Sequence, residues 1–170
     1  NKTMKKVQSQ TQTLEEIMRS GRFEIPYNQR PYTWTKTNWE LLWDAFFSES
    51  EKASFLGNVI FLSGPEQEIG VKQVFDGQQR LTSISILFIA LREHARTLND
   101  SEVASEVQKH ISIYSKVRNK NDIKFEVSSN IRDLYEHMTN PNWDGLFPDK
   151  IDNKSIKRQV NKIRPIYNFI

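Results

Sequence analysis

The stretch with the clearest pattern of apolar and polar positions is Val71–Leu91, and it predicts a buried strand, a polar turn and a buried helix. Val71, Val74 and Phe75 form an apolar, β-prone lead-in. Asp76-Gly77 signals a turn, because glycine tolerates backbone angles that other residues resist. Beyond it Leu81, Ile84, Phe88 and Leu91 recur at helical spacing, while Ile86, Leu87, Ile89 and Ala90 fill the other faces. A helix apolar nearly all round belongs at the centre of a fold.

The remaining pattern is read in chain order. Residues 1–11 are polar and expected to be frayed. Thr13 and Glu16 have the spacing of a capping box for a short helix on Leu14, Ile17 and Met18, with Gly21 as its stop. Arg22 to Ile25 reads as a strand. Thr37 and Glu40 repeat the capping-box spacing ahead of Trp39, Leu42, Trp43, Phe46 and Phe47, a wide apolar helix face. Phe55 to Leu62 is a second buried strand, and the short turn 63–70 makes it an antiparallel neighbour of 71–76. Residues 92–100 are polar. Val103, Val107, Ile111 and Tyr114 support a further helix, Arg118–Asp122 is a charged turn, and Ile123–Val127 alternates like an edge or surface strand. Ile131, Leu134, Tyr135 and Met138 predict a helix ending at Asn140-Pro141, followed by a loop with Trp143 and Phe147. Ile156, Val160, Ile163 and Ile166 mark a last helix. The class is α+β, with a small sheet built from segments near 22–26, 56–62 and 71–76.

Composition changes this picture in three places. A length of 170 residues fits one domain with room for a sizeable core. A mean hydropathy of −0.64 goes with a polar surface, and no apolar run approaches the roughly 20 residues that span a bilayer. Cysteine is absent, which excludes disulfides, thiolate catalysis and Cys-ligated zinc, and fits a reducing compartment such as the cytoplasm. The net charge of +3 is unevenly spread: residues 150–170 carry six basic residues and one acidic. Lys157, Arg158 and Lys162 in that block suit nucleic acid, although a solvated helix face explains the same pattern. Because the last periodic segment runs to the final residue, the chain reads as a piece of a longer protein.

Candidate chemistry concentrates in two stretches. Asp76, Gln78, Gln79 and Arg80 sit at the N-terminal end of the buried helix, where unpaired N–H groups and the positive dipole end favour an anion. In Ile25–Trp34, two prolines bracket Tyr27, Asn28, Gln29 and Arg30. Each proline fixes its own φ and pushes its predecessor extended, so the segment is stiff. Tyr32 and Trp34 suit the core, whereas Gln29 and Arg30 present a donor-rich fork for a phosphate or a base edge. No phosphate-binding loop, dinucleotide fingerprint, zinc-protease helix or serine elbow is present, and His94, His110 and His137 lie far apart. Catalysis from carboxylate, amide and guanidinium groups suits phosphoryl transfer better than acyl transfer. Spacing alone equally allows a structural role, with Asp76 capping the helix and Arg80 pairing with it.

Three motifs in order, Ile25-Pro-Tyr-Asn-Gln-Arg-Pro-Tyr-Thr-Trp34, Phe55-Leu-Gly-Asn58 and Asp76-Gly-Gln-Gln-Arg-Leu-Thr82, resemble the DGQQR family of prokaryotic domains. These are the N-terminal domains of GmrSD-type modification-dependent restriction enzymes and of SspE-like phage-defence proteins. The resemblance covers residues 13–95, after a polar segment 1–12 and before a helical extension 96–170. It implies a ParB/sulfiredoxin-like fold: a small mixed sheet with a buried central helix. It further implies nucleoside triphosphate binding and hydrolysis with Mg²⁺, and coupling to a separate C-terminal HNH nuclease that acts on DNA, possibly modified. No membrane, zinc, haem or flavin is expected. Sulfiredoxin chemistry is excluded because it requires cysteine. Matched position by position, Asp76, Gly77, Gln78, Gln79 and Arg80 take the nucleotide motif and Gln29 and Arg30 its upstream partner. Asp76 would hold Mg²⁺ through the nucleotide or orient water, Gln78 or Gln79 would position that water or read the base, and Gly77 and Arg80 would hold phosphate. The alternative is a non-catalytic DNA-recognition module in which the same turn grips a backbone phosphate.

Overall fold

The computed structural model describes residues 6–9, 16, 21–25, 30–47, 60–63, 71–116, 119–148 and 153–169. In chain order its elements are β1 (Lys6–Ser9), β2 (Arg22–Glu24), α1 (Lys36–Phe47), β3 (Ile60–Ser63), β4 (Val71–Asp76) and α2 (Gln78–Thr97). There follow α3 (Ser101–Ile111), β5 (Ser112–Ser115), β6 (Lys120–Ile123), α4 (Arg132–Thr139) and α5 (Lys154–Tyr167). The class is α+β, as the hydrophobic pattern predicts.

Four strands form one mixed sheet in the order β1-β3-β4-β2. β3 pairs antiparallel with β4, as expected, and β2 pairs parallel with β4. β1 pairs antiparallel with β3, from Lys6↔Ser63 to Ser9↔Ile60. This corrects the expectation of a frayed N-terminal stretch: partners more than fifty positions away in the chain complete a polar edge strand that no local pattern announces. On the opposite edge, Phe23 N–H donates to Lys124 O at 2.9 Å and Glu126 N–H donates to Phe23 O at 2.8 Å. Arg22 strengthens that seam through Ile123 O at 3.1 Å and Glu126 at 3.3 Å. Phe125 thus bridges Phe23 at the sheet edge, and Phe125 and Val127, the inward positions of the alternation, join the core.

The central helix α2 buries Leu81, Ile84, Ile86 and Ile89, as predicted, but it is longer than its apolar run. Leu91 is 40% exposed whereas Arg92 is fully buried, so the stretch 92–97 continues the helix and does not form a polar connection. Thr82, Ser83 and Ser85 are also buried, each hydroxyl donating to the carbonyl four residues back at 2.7–2.8 Å. Polar residues are thereby placed inside without unpaired groups. Around α2 one core joins Phe23, Tyr32, Trp39 and Val74 to Val107, Ile111, Ile131, Met138, Val160 and Ile163.

Other boundaries move for identifiable reasons. α1 starts at Lys36, where Thr35 N–H donates to Asn38 Oδ1 at 3.1 Å, and Glu40 pairs with Lys36 instead of closing a box with Thr37. Tyr114 lies on β5, not on the helix before it, and the expected charged turn is part of a hairpin. Asp100 and Asn153 cap α3 and α5 through the N–H groups of Val103 and Ser155. The Thr13 helix lies outside the described residues except for Glu16, and Phe55–Asn58 lies outside them entirely.

Candidate functional site

β4 enters α2 through a single residue. Gly77 has φ 84°, a left-handed conformation that side chains resist, so the abrupt strand-to-helix reversal depends on glycine. Asp76 Oδ1 accepts from Gly77 N–H at 2.9 Å. That bond caps the glycine, not the helix, and α2 starts with no side-chain cap and no acidic residue in its first turn. A 20-residue helix thus begins at this turn with N–H groups that lack intrahelical acceptors and with its positive dipole end.

Both glutamines of the motif are engaged. Gln78 is buried and its Nε2 donates to Val74 O at 2.7 Å, which ties the first helical residue back to the strand. Gln79 reaches across to the proline-bracketed segment: its Oε1 accepts from Thr33 N–H at 2.9 Å and its Nε2 donates to Pro31 O at 3.2 Å. Both amides thus hold backbone groups of the protein in place.

The segment between those two bonds is fixed from three further directions. Tyr32 is fully buried and its N–H donates to Asn130 Oδ1 at 3.0 Å, while Asn130 Nδ2 donates to Tyr32 O at 3.0 Å. Its hydroxyl lies 2.7 Å from Ser83 Oγ and accepts from Trp39 Nε1 at 3.0 Å. Burial pushes the Tyr32 phenol up to about 12, against the opposing pull of these two hydrogen bonds. Tyr32 and the half-buried Trp34 are the core anchors expected of this stretch.

The two motif-bearing segments are therefore brought together, with Gln79 as the link. Arg30 is exposed and directly precedes Pro31. Asp76 is exposed, and Arg80 is half-buried with a partner of its own. Gln29 lies outside the described residues. Lys157, Arg158 and Lys162 stand exposed on α5, with Lys154 and Arg164 on the same outward side and Gln159, Val160, Ile163 and Ile166 buried opposite. A groove of about 320 Å³ between α4 and α5, lined by Asp133, His137, Asp144 and Phe147 among others, is formed by different residues from the turn. Among the described residues no group of three or more His, Asp or Glu is arranged to hold a metal, and no helix is long and apolar enough to cross a membrane.

Sequence reasoning missed the residues that lock the site: Ser83, Asn130 and Ser128, whose Oγ accepts from Tyr32 N–H at 3.2 Å and donates to Asn130 Oδ1 at 2.8 Å, together with the clamping role of Gln79. No local pattern marks them, since Asn130 acts on a backbone 98 positions away. A comparison with curated proteins finds no match. The chain matches the model of the GmrSD restriction endonuclease N-terminal domain over residues 12–170, and it belongs to that family.

Proposed function

We propose that this member of a restriction, phage-defence family is a nucleotide-binding and NTP-hydrolysing sensor domain, and that the Asp76–Arg80 turn handles the triphosphate. One observation carries the reading: the uncapped start of α2, entered through left-handed Gly77, is held by Gln79 against the segment that follows Arg30. The helix dipole and the N–H groups without intrahelical acceptors favour phosphate oxygens there. Arg80 and Arg30 add charge-assisted bonds, and Gln29 completes the matched pair. Asp76 keeps one carboxylate oxygen beyond its bond to Gly77, suited to Mg²⁺ carried by the nucleotide or to the attacking water. Bound Mg²⁺ would neutralise charge on the phosphates. Gln78 and Gln79 are positioning residues: the first sets the turn on β4, the second sets the opposite wall. The small mixed sheet with its buried helix is compatible with a ParB-like fold. DNA and a nuclease domain or subunit of the HNH type are the partners this reading assigns, with hydrolysis coupling the two.

The test is phosphate release from each common nucleoside triphosphate with Mg²⁺, with and without duplex DNA. Release that changes on adding DNA and disappears in Asp76→Ala is the expected result. The basic outer side of α5 favours a second reading, a non-catalytic DNA module with the turn on a backbone phosphate. DNA binding without phosphate release from any nucleotide would select it.

A further inference from the structure

We propose that the groove between α4 and α5 is a docking site for a protein segment that carries an arginine or lysine beside an apolar side chain. It is built from other residues than the Asp76–Arg80 turn, so it does not depend on the nucleotide reading. The groove has a volume of about 320 Å³, an apolar floor and an acidic rim. Buried Leu134 of α4 and half-buried Ile156 of α5 supply the floor together with Phe147. Phe147 is held there by two rings, edge-on to Trp143 at 5.7 Å and to Tyr167 at 5.1 Å. Leu146 is 70% exposed beside it, and its N–H donates to Asp144 Oδ1 at 3.0 Å. Single leucines on a surface are ordinary, but this one adjoins a concave apolar wall, where covering it removes apolar area from water.

The rim sets the charge of the occupant. Among the described residues no lysine or arginine lines the groove, and neither Asp133 nor Asp144 forms an ion pair. Both are exposed. Asp133 Oδ2 accepts from Gln159 Nε2 at 3.4 Å, and the Asp144 bond to Leu146 N–H uses Oδ1. The second oxygen of each carboxylate thus remains for a donor from outside the chain. The chain as a whole carries +3, so these carboxylates are not part of a generally acidic surface. A phosphate backbone would meet two uncompensated negative charges here, whereas a guanidinium or ammonium meets two acceptors. The volume lies at the low end of binding pockets, about 300 Å³, and suits one or two anchoring side chains. A cationic, apolar protein segment is therefore the occupant that fits by shape and by charge.

The experiment is fluorescence anisotropy of a short labelled peptide of alternating leucine and arginine, titrated with the whole chain. Saturable binding that weakens with added salt is the expected result. Glutamate in place of the arginines should abolish it, and serine in place of the leucines should weaken it. Asp133→Asn with Asp144→Asn keeps both hydrogen-bond acceptors and removes both charges, and should weaken binding about fivefold per carboxylate, the upper range for an exposed ion pair. Leu146→Ser should also weaken binding, at an unchanged melting temperature, because that side chain is exposed. Equal binding of the arginine and glutamate peptides, full affinity in either variant, or no saturable binding would overturn the proposal. Duplex DNA binding lost in the double asparagine variant would give the groove to nucleic acid and overturn it as well.

Discussion

Tyr32 joins the core to the candidate site through its own backbone and a single hydroxyl. Its N–H and carbonyl are taken by Asn130, and its hydroxyl accepts from Trp39. The Ser83 hydroxyl proton goes to Gln79 O, so the Tyr32 proton goes to Ser83. Tyr32→Phe should cost about 1–3 kcal/mol, because Trp39 Nε1 loses its acceptor in the core. Chemical denaturation at neutral pH measures this. The same residue sets a pH effect. Burial lifts the phenol to about 12, above the value near 10 of an unfolded chain, so the folded state binds the proton more tightly. The stability it contributes is complete below pH 10 and is lost as pH rises toward 12. Tyr32→Phe should accordingly show a shallower alkaline loss than wild type in a melting series, with burial of Tyr135 supplying part of the loss that remains.

At the scale of elements, three helices are stapled by one buried guanidinium. Arg92 of α2 donates to Glu93 at 2.9 Å, to Gln108 of α3 at 2.7 Å and to Met138 O at the end of α4 at 2.6 Å. Burial lowers its pKa, and the neighbouring Glu93 charge opposes that shift. Arg96 extends the staple to Pro141 O and Trp143 O, and Gly145 closes beside Glu93, where a Cβ would come within 3.0 Å of its carboxylate. Arg92→Met should lower stability by about 3–5 kcal/mol, since Glu93 and Gln108 lose a buried partner and Met138 O loses its donor. The drop in melting temperature checks it. This element also shows where sequence reading stops. Apolar periodicity located α2, α4 and α5, and the motifs located the turn at Asp76–Arg80. Hydropathy cannot distinguish a buried Arg92 from a solvated one, so the second half of α2 read as a polar connection. Similarly, β1 takes its partner from a distant part of the chain, and its own polar residues carry no signal for it.

Over the whole molecule, the proposed chemistry divides between the Asp76–Arg80 turn at one end of α2 and a cationic face on α5. Neutralising Lys157, Arg158 and Lys162 should flatten the salt slope of DNA binding by up to about 2.7, and nucleotide turnover without DNA should stay unchanged. An unchanged slope would mark the α5 face as merely solvated. The central claim, that Asp76–Arg80 handles a triphosphate, is tested most directly by nucleotide titration and turnover on wild type, Asp76→Ala and Arg80→Ala, with melting temperatures recorded alongside. The two variants should fail differently. Loss of Arg80 removes a charge-assisted contact worth about 1.5–3 kcal/mol and should weaken nucleotide binding roughly 10- to 150-fold. Loss of Asp76 should abolish most turnover while metal-free nucleotide binding stays equal or tightens, because a negative charge beside the phosphates is gone. Undiminished turnover in Asp76→Ala, with only a lower melting temperature, would contradict the account and leave the turn as a structural joint between strand and helix.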